Sequence, residues 1–351
     1  MRIGIVNDLK LACEALRRAV LSGGEHTVAW IAHDGQQAVE QAKRDPADLI
    51  LMDLIMPEVD GVEATRRIMA EQPCPILVVT STVSGNITKV YEAMGLGALD
   101  ATETPSFSSA GELQGAKGLL EKIDRMKRLC EPRSALKPAK TGTTEIPVFA
   151  PSQNFPKLVL IGASTGGPNV LAELLEAFPK SLDAAVIIAQ HVDEDYAAGL
   201  ADWLKQRCRM PLRMAAVNEL PTAGFVYLAA SHQHLVLGTD RRMRYVAEPA
   251  GWYRPSVDAL FQSVARVWPN TGVAVLLTGM GTDGALGLLA LHKAGWCTIA
   301  QDRESSVVWG MPKAAVEMHA AQKVLAPPDM LPSILAGLAK SQSVMKPPSR
   351  K

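Results

Sequence analysis

The sequence has 351 residues, of which 48% are hydrophobic and 21% are charged, and its formal net charge is zero. This length predicts two globular domains, and the balanced charge excludes the basic surface that indicates nucleic-acid binding. No uninterrupted apolar run approaches about 18 residues, so the sequence predicts no membrane insertion, and the opening segment does not resemble a signal peptide. The five cysteines are scattered without metal-binding spacing, which is typical of reduced thiols in a cytoplasmic protein.

Strand-like and helix-like segments alternate through the first 130 residues. Short apolar runs predict strands, and apolar residues spaced three or four positions apart predict helices. Five such units predict a flavodoxin-like (βα)5 domain, an open parallel sheet with helices on both faces. The predicted strands are 3–6, 28–32, 49–52, 76–80 and 98–102, and the predicted helices are 12–21, 36–44, 61–70, 87–94 and 112–129.

A change in composition separates this domain, residues 1–130, from a second one. Residues 131–155 contain several prolines with Lys, Thr and Ser but no apolar periodicity, so they predict an interdomain linker. Residues 156–345 alternate again and predict a second doubly wound α/β domain with a parallel sheet. Its predicted strands are 158–161, 185–189, 273–277 and 297–300, with short strands within 212–246, and its predicted helices are 168–178, 196–207, 256–267, 284–294 and one that begins at 313.

Polar residues follow three predicted strands of the first domain. Asn7 and Asp8 follow the first strand, Asp53 follows the third, and Thr80 ends the fourth. We expect these side chains to converge, because the carboxyl ends of parallel strands form one edge of a sheet. Clustered carboxylates favour Mg²⁺, which lets a carboxylate attack a phosphoryl donor by shielding charge repulsion. The alternative is that the acids only cap the helices that follow them.

The segments DLILMDLIMPEVDG and PILVVTS resemble the receiver domains of response regulators in two-component systems. The resemblance implies phosphorylation of Asp53 by a CheA-type histidine kinase. It also implies Mg²⁺ ligation by Asp8, Asp53 and Ile55, and a switch role for Thr80.

The receiver-like segment departs from the family pattern at three positions. Asn7 stands where a second acid is common, Thr104 stands where a lysine usually precedes proline, and Ala101 stands where the switch aromatic residue usually lies. A lysine at position 104 would pair with the phosphoryl group as a point charge. Its absence leaves the chemistry of Asp53 in place and predicts a weakened switch.

The segment GASTGG, residues 162–167, lies between a predicted strand and a predicted helix. The G-x-S-x-G pattern in this context predicts that Ser164 is a nucleophile. Small neighbours permit a sharp turn, and the helix N-terminus favours developing negative charge. A tight structural turn and a dinucleotide-binding loop are the alternatives, although Ser-Thr fills the place where a second glycine of G-x-G-x-x-G would stand.

Two further residues support a nucleophilic role for Ser164. His191 follows a predicted strand in VIIAQH, and Asp283 lies just past a later strand in VAVLLTGMGTDG. The three residues would share one sheet edge, where His191 could take the Ser164 proton and Asp283 could orient the imidazole. The chain order Ser, His, Asp differs from that of the α/β hydrolases, so a different fold is expected.

The segments GASTGG, QH, TGMGTDGA, RPSVD and GMPKAA resemble the CheB-type chemotaxis protein-glutamate methylesterases. With the receiver-like segment, the resemblance covers nearly the whole chain, and TETP at residues 102–105 is similar to the WspF-like branch of alternative chemosensory systems. It implies a carboxylic ester hydrolase that removes γ-glutamyl methyl esters, and in many members deamidates glutamines, on cytoplasmic helices of methyl-accepting chemotaxis receptors. It also implies oxyanion donors from the backbone around Met280, with Thr165 nearby, and an esterase reaction that needs no cofactor.

Three functional hypotheses follow from these patterns. The first is an esterase that its own receiver inhibits until Asp53 is phosphorylated. The second is a phospho-responsive adaptor that docks on receptor arrays with little catalytic role, and a change of Ser164 distinguishes it from the first. The third is a nucleotide-binding α/β domain, which a cofactor titration would reveal.

Overall fold

The computed structural model describes residues 1–81, 87–130, 155–192, 194–229, 233–247 and 254–340. The chain forms two compact units, and residues 1–130 all belong to the first. We call residues 1–130 the N-terminal unit and the described residues of 155–340 the C-terminal unit. Of the linker predicted at 131–155, only Phe155 is described, and its ring packs edge-on against Trp268 with 5.3 Å between the centroids. The predicted domain limits, including residues 341–345, therefore stay predictions.

The N-terminal unit is a five-stranded parallel sheet with the strand order β2-β1-β3-β4-β5, which is the flavodoxin-like order. Helix α1 packs against α5, and α3 packs against both α2 and α4. The strands are β1 (Arg2–Val6), β2 (Thr27–Ala32), β3 (Leu49–Met52), β4 (Ile76–Thr80) and β5 (Asp100–Glu103), and the helices are α1 (Lys10–Ser22), α2 (Gly35–Arg44), α3 (Gly61–Glu71), α4 (Ile87–Gly95) and α5 (Ala116–Cys130).

Local sequence explains most of these elements. Every residue of β3 and β4 is buried, as expected for strands covered by helices on both faces. Aspartates cap two of the helices: Asp34 accepts the Gln37 N–H at 2.8 Å, and Asp60 accepts the Glu63 N–H at 3.0 Å. The predicted α/β architecture of this unit is confirmed.

The last helix of the unit begins later than predicted. Residues 106–114 instead form a short antiparallel hairpin of β6 (Ser106–Phe107) and β7 (Leu113–Gln114). Gly111 and Gly115 have φ angles of +81° and +78°, which glycine adopts without strain. The polar turn and the two glycines explain why the predicted helix 112–129 starts only at Ala116.

The C-terminal unit is a seven-stranded parallel sheet with the strand order β10-β11-β9-β8-β14-β15-β16. An antiparallel hairpin, β12–β13, packs against helix α8. The strands are β8 (Lys157–Ala163), β9 (Ala184–Gln190), β10 (Leu212–Met214), β11 (Val226–Leu228), β12 (His234–Leu237), β13 (Met243–Val246), β14 (Val273–Leu276), β15 (Cys297–Gln301) and β16 (Lys323–Leu325). The helices are α6 (Gly167–Ala177), α7 (Glu194–Lys205), α8 (Val257–Val267), α9 (Ala285–Lys293), α10 (Met311–Glu317) and α11 (Pro327–Lys340).

The centre of this sheet brings three strand ends together. Strand β8 pairs with β9 on one side and with β14 on the other, and the registers place Ala163 opposite Gln190 and Gly162 opposite Leu276. The chain leaves β8 towards β9 and later returns on the other side, so the strand order reverses at β8. Ligands bind at the carboxyl ends of strands at such a switch point.

The sequence patterns did not reveal β16 and α11. Helix α11 contains Pro327, Pro328 and Pro332, which interrupt the visible helical pattern. Its apolar face nevertheless repeats at helical spacing, since Met330 and Ile334 are fully buried. No helix in the described ranges is both long and apolar enough to cross a membrane.

Candidate active site and phosphorylation site

Ser164 lies in the turn between β8 and α6 and is 9% exposed. Its N–H donates to the Thr278 carbonyl at 3.1 Å, which continues the pairing of β8 with β14. Gly279 approaches the nucleophile so closely that a Cβ at position 279 would lie 2.6 Å from Ser164 Cβ. Gly166 has a φ of +78°. The turn therefore depends on glycine for its conformation and for the close approach of β14.

His191 follows β9 directly, and its N–H donates to the carbonyl of Ala163 at 3.0 Å. Nε2 of its ring lies 2.7 Å from Oδ2 of Asp283. The two side chains are only 9% and 8% exposed, so the pair is shielded from water. Two of the predicted catalytic residues, His191 and Asp283, are therefore in direct contact. Ser164 directly follows β8, the strand that lies between the strands preceding them.

The carboxylate of Asp283 lies at the N-terminus of α8. Its Oδ2 accepts the Val257 N–H at 2.7 Å, and its Oδ1 accepts the Ser256 hydroxyl at 2.9 Å and the Asp258 N–H at 3.0 Å. Burial raises the pKa of Asp283, but the hydrogen bonds from His191 and from the backbone outweigh it and lower that pKa below its usual range. Asp283 is therefore held as an anion that can stabilise a protonated imidazole.

Sequence reasoning assigned no role to the residues that hold Asp283. Ser256 caps α8 by accepting the Ala259 N–H at 3.2 Å, and its own N–H donates to Nδ1 of the fully buried His234 at 3.0 Å. The RPSVD segment carried the family resemblance, and in the structure it holds the Asp283 carboxylate. A serine just before a helical apolar pattern is a recognisable N-cap signal, but the contact with Asp283 is visible only in the fold.

Asp258 places a second carboxyl group beside Asp283. Its Oδ1 accepts the Gly287 N–H at 2.6 Å. Burial and the negative charge of Asp283 raise the pKa of Asp258 to about 7. The pKa values of the two neighbouring carboxyl groups are therefore shifted in opposite directions, and Asp283 ionises at lower pH than Asp258.

The two predicted oxyanion residues follow Ser164 and Gly279, which pack against each other. Thr165 follows Ser164 in the chain and is 5% exposed, and Met280 follows the closely packed Gly279. Gly279 is fixed by its own backbone, because its N–H donates to the Val308 carbonyl at 2.9 Å and its carbonyl accepts the Met311 N–H at 2.8 Å. Within the described ranges, no acceptor is hydrogen-bonded to the Met280 N–H.

Asp53 ends β3 in the N-terminal unit and is 8% exposed. Its Oδ2 accepts the Asn7 side-chain amide at 2.9 Å, and its Oδ1 accepts the Leu54 N–H at 2.7 Å and faces the Ile55 N–H at 3.4 Å. Burial raises the pKa of Asp53 to about 6, against the hydrogen bonds from Ile55 and Leu54, and the charge of Asp8 raises it further. Asn7 thus acts here as a hydrogen-bond donor to Asp53.

The same residues fit a magnesium ion. Asp8 and Asp53 follow the paired strands β1 and β3 and would supply carboxylate oxygens, and Ile55, two residues after Asp53, would supply its backbone carbonyl. The described ranges hold no cluster of three or more His, Cys, Asp or Glu. This suits Mg²⁺, which binds one or two carboxylates and keeps several waters. Burial, with a smaller contribution from the charge of Asp8, raises the pKa of Asp53, and a cation would favour its ionised form.

The structure shows the surroundings of Thr104 and Ala101, two of the positions that depart from the receiver pattern. Thr80, the predicted switch residue, is 1% exposed, and its carbonyl accepts the Thr104 N–H at 2.9 Å. Beside Ala101, the ammonium group of Lys122 donates to the Ala101 carbonyl at 2.6 Å and lies 3.2 Å from Asp100. Lys122, a lysine near Ala101, therefore binds Asp100 and Ala101 in the first half of β5.

Comparison with known proteins identifies two matching families. The family described as CheB methylesterase matches residues 159–334, and the family described as response regulator receiver domain matches residues 3–106. A Burkholderia orbicola protein named protein-glutamate methylesterase/protein-glutamine glutaminase 3 is 49% identical over 342 residues, which cover 97% of this chain and 98% of that protein. A Cupriavidus pinatubonensis protein with the same description, numbered 1, is 47% identical over 349 residues, which cover 99% of each.

A solved structure is also similar to part of the chain. The catalytic domain of the Thermotoga maritima CheB methylesterase is 31% identical, covers 52% of this chain and 99% of its own, and gives a TM-score of 0.49.

Proposed function

This chain belongs to the CheB methylesterase family and carries a receiver domain, and we propose that it is a phosphorylation-regulated protein-glutamate methylesterase. Its substrates would be γ-glutamyl methyl esters on methyl-accepting chemotaxis receptors. The observation that carries this proposal is the buried contact of 2.7 Å between His191 and Asp283, beside the turn that presents Ser164. The names of the full-length relatives support the choice of substrate.

The first half of the reaction transfers the glutamyl group to the enzyme. The Ser164 hydroxyl oxygen attacks the ester carbonyl carbon, and His191 takes the hydroxyl proton. Because Nε2 faces Asp283, Nδ1 is the nitrogen that takes this proton. The anionic Asp283 stabilises the resulting imidazolium. When the tetrahedral intermediate collapses, the methoxy group takes the proton from His191 and leaves as methanol.

The second half of the reaction frees the enzyme. A water molecule attacks the ester between Ser164 and the glutamyl group while His191 accepts its proton. The proton then returns to the serine oxygen as the bond between that oxygen and the glutamyl carbonyl carbon breaks, and the product is the glutamate carboxylate. With a glutamine side chain as substrate, the same steps release ammonia instead of methanol, which is the deamidase activity that the relatives' names include.

Both tetrahedral intermediates carry a negative oxygen that needs hydrogen-bond donors. We assign this role to the N–H groups at Met280 and Thr165. Support comes from the fixed backbone of Gly279, which precedes Met280, and from the position of Thr165 directly after the nucleophile. Fixed donors at this position contribute about 3–4 kcal/mol each in serine hydrolases.

Regulation is assigned to Asp53. Its carboxylate would attack the phosphoryl group of a histidine kinase of the CheA type, and the Thr80 hydroxyl would bond the transferred group. Mg²⁺, held by Asp8, Asp53 and the Ile55 carbonyl, would shield the repulsion between the carboxylate and the phosphoryl oxygens. The receiver match at residues 3–106 supports this assignment.

The place of action and the domain limits complete the proposal. We assign the reaction to the cytoplasm, where the methylated receptor helices lie. The receiver comprises residues 1–130, the linker residues 131–155 and the catalytic domain residues 156–345. The position of Phe155 against Trp268 supports a catalytic domain that begins near residue 156.

The test is methanol release from a methylated receptor fragment with wild-type protein and with Ser164→Ala. Ser181→Ala, which changes an exposed serine of the same unit, is the matched control. The proposal expects that Ser164→Ala loses at least about 10³-fold in rate with unchanged circular dichroism, while the control keeps the wild-type rate. Release by Ser164→Ala within tenfold of wild type would refute it. Mass spectrometry of the same fragment identifies the modified glutamates and any deamidated glutamines.

A further inference from the structure

A chain of hydrogen bonds crosses four strand ends at the carboxyl edge of the C-terminal sheet. The Ser164 N–H donates to the Thr278 carbonyl at 3.1 Å, and the Thr278 N–H donates to Oε1 of Gln301 at 2.8 Å. On the other side, Nε2 of Gln190 donates to the Ser164 carbonyl at 2.9 Å. The chain therefore runs from the end of β9, past β8 and β14, to the end of β15, with a glutamine at each end.

Gln190 acts in this chain as a donor. Its Nε2 donates to the carbonyls of both Ser164 and His191, at 2.9 and 3.0 Å. Both partners are acceptors, so the orientation of the amide is fixed by its surroundings. The side chain is 0% exposed, and Oε1 is buried without a hydrogen-bond partner in the described ranges. Leaving a buried oxygen unsatisfied destabilises the fold, so the two hydrogen bonds that Nε2 donates have to offset this cost.

Gln301 acts as an acceptor towards Thr278 and as a donor towards Ser305. Its Oε1 accepts the Thr278 N–H, and its Nε2 donates to the carbonyl and the hydroxyl of Ser305 at 3.0 and 3.1 Å. Gln301 is also 0% exposed. The same loop returns to Thr278, whose hydroxyl accepts the Val308 N–H at 3.0 Å. Gln301 therefore fixes the segment that leads from β14 into Met280.

We propose that Gln190 and Gln301 are positioning residues for the esterase reaction. They hold the backbone on both sides of the nucleophile, so that the Ser164 hydroxyl and the Met280 N–H keep their distances to the reacting carbonyl. This inference rests on the proposed function of the site. It assigns a role to two buried amides that touch neither the substrate nor the proton path.

The two amides act on the rate through geometry rather than through charge. A displacement of about 1 Å between nucleophile, base and oxyanion donor costs on the order of 10²-fold in rate. The Ser164 N–H and the Ser164 carbonyl both take part in this series of hydrogen bonds, which restricts the turn to one backbone conformation. Without Gln190, two buried carbonyls at Ser164 and His191 lose their donor and the turn relaxes. Without Gln301, the Thr278 N–H loses its acceptor and the Met280 segment shifts.

The opposite hydrogen-bonding roles permit a sharp test with four variants of the full chain. Gln190→Met and Gln301→Met keep the length of the side chain and remove its polar atoms. Gln190→Glu places an acceptor where both contacts of the amide need a donor, whereas Gln301→Glu keeps the acceptor for the Thr278 N–H and removes only the donor to Ser305. At pH 8 we expect kcat and the rate of Ser164 labelling to be lower with Glu than with Met at position 190. At position 301 we expect both rates to be higher with Glu than with Met. A role in packing alone would give the same order at both positions.

Two readouts are measured for each variant. The first is kcat and KM for a small p-nitrophenyl ester, and the second is the rate at which a fluorophosphonate labels Ser164, scaled to the folded fraction from circular dichroism. We expect kcat and labelling to fall on the order of 10- to 100-fold in the Met variants, with KM nearly unchanged. Gln206→Met, at an exposed glutamine of the same unit, is the matched control and should behave as wild type.

The outcomes separate this inference from the proposed function. The inference is overturned if folded Met variants keep wild-type labelling rates, or if Glu and Met follow the same order at both positions. Labelling does not depend on the identity of the natural substrate. A wild-type protein that is labelled but releases no methanol from receptors would therefore contradict the proposed function and leave this test intact.

Discussion

The Asp283 carboxylate meets Nε2 of His191 at 2.7 Å, although the two residues follow strands β14 and β9, which do not pair with each other. Strand β8 lies between them and ends in the turn that carries Ser164. Asp283 and His191 therefore converge across the end of the strand that leads to Ser164. In the proposed mechanism the three residues act as one unit, and this determines how substitutions should combine.

We expect the effects of Ser164→Ala and His191→Ala on receptor demethylation to be non-additive. Each single change should remove nearly all turnover, and the double variant should lose no more than either single variant, because both residues serve one proton transfer. The measurement is methanol release by the two single variants and the double variant. A double variant whose loss equals the product of the single losses would show that the residues act independently.

Asp258 should shape the pH dependence of the reaction. Its pKa is raised to about 7, so it gains a negative charge as the pH rises through neutrality. That charge lies beside Asp283 and favours the imidazolium that forms during attack. Asp258→Asn removes the charge and keeps an oxygen for the Gly287 N–H. We expect kcat/KM to fall several-fold at pH 8.5 and to change little at pH 5.5.

The control for this change is Asp202→Asn, which alters an exposed carboxylate paired with Lys205. It should leave the pH profile of kcat/KM as in wild type. If the kcat/KM of Asp258→Asn, divided by that of wild type, stays constant between pH 5.5 and 8.5, the charge of Asp258 does not shape the pH profile.

Gly279→Ala should inactivate the enzyme through steric contact. The new methyl group would lie 2.6 Å from Ser164 Cβ and 2.3 Å from the Met311 sulfur, so the turn must move. Overpacking of this kind destabilises proteins by about 1–3 kcal/mol, and we expect a loss of ester turnover beyond about 10²-fold. Gly118→Ala is the control, because a Cβ at Gly118 meets no atom within 4 Å. Wild-type turnover by Gly279→Ala would show that the site tolerates a displaced Ser164.

Asp53→Asn should stabilise the receiver domain at alkaline pH. The folded-state pKa of Asp53 is raised from 3.8 to about 6, so its neutral form fits the fold and its ionisation opposes folding. The stability that this group contributes is full below pH 3.8 and is lost as the pH rises through about 6. The variant avoids this loss, which amounts to at most about 3 kcal/mol. Calorimetry should therefore show a larger increase in Tm at pH 8 than at pH 4.

Magnesium provides a second check on Asp53. Because Mg²⁺ favours the ionised carboxylate, adding it at pH 8 should raise the Tm of wild type more than that of Asp53→Asn. Glu112→Gln, at an exposed carboxylate of the same unit, is the control and should show no such difference. An increase in Tm for Asp53→Asn that is equal at pH 4 and pH 8 would contradict the burial argument.

Thr104→Lys should strengthen activation by phosphorylation. Thr104 offers one hydroxyl to a group that carries up to about two negative charges, and a charge-assisted bond is about twice as strong as a neutral one. We expect a small phosphodonor to raise the esterase rate only modestly in wild type, more in Thr104→Lys and not at all in Asp53→Ala. Large activation of wild type that Thr104→Lys leaves unchanged would show that this receiver switches by another route.

The sequence predicted those features that depend on local pattern. Apolar periodicity located most strands and helices of both units, and the placement of Ser164, His191 and Asp283 after strands predicted that they share an edge. Parallel strands carry loops to the same side, so this step needs no knowledge of side-chain contacts. The GASTGG turn was recognisable because glycine is required there by conformation and close approach.

The remaining features depend on contacts between distant segments. Nothing local in Gln190 or Gln301 distinguishes a buried amide that holds a backbone from one that fills space. The role of Ser256 follows from the meeting of α8 with the loop after β14, which are adjacent only in the folded sheet. Helix α11 was hidden because proline lowers helical propensity, whereas burial of Met330 and Ile334 outweighs that preference.

The insertion of β14 beside β8 also has a consequence for the order in which activity can appear during synthesis. In the proposed mechanism, the nucleophile Ser164 and the base His191 follow the first strand pair of the catalytic domain, but the acid Asp283 lies 92 residues beyond the base and Gln301 lies later still. Synthesis up to the end of β9 therefore supplies the serine turn and the imidazole without the carboxylate that contacts it. With the roles proposed here, ester turnover would begin only after β14 and β15 have been synthesised.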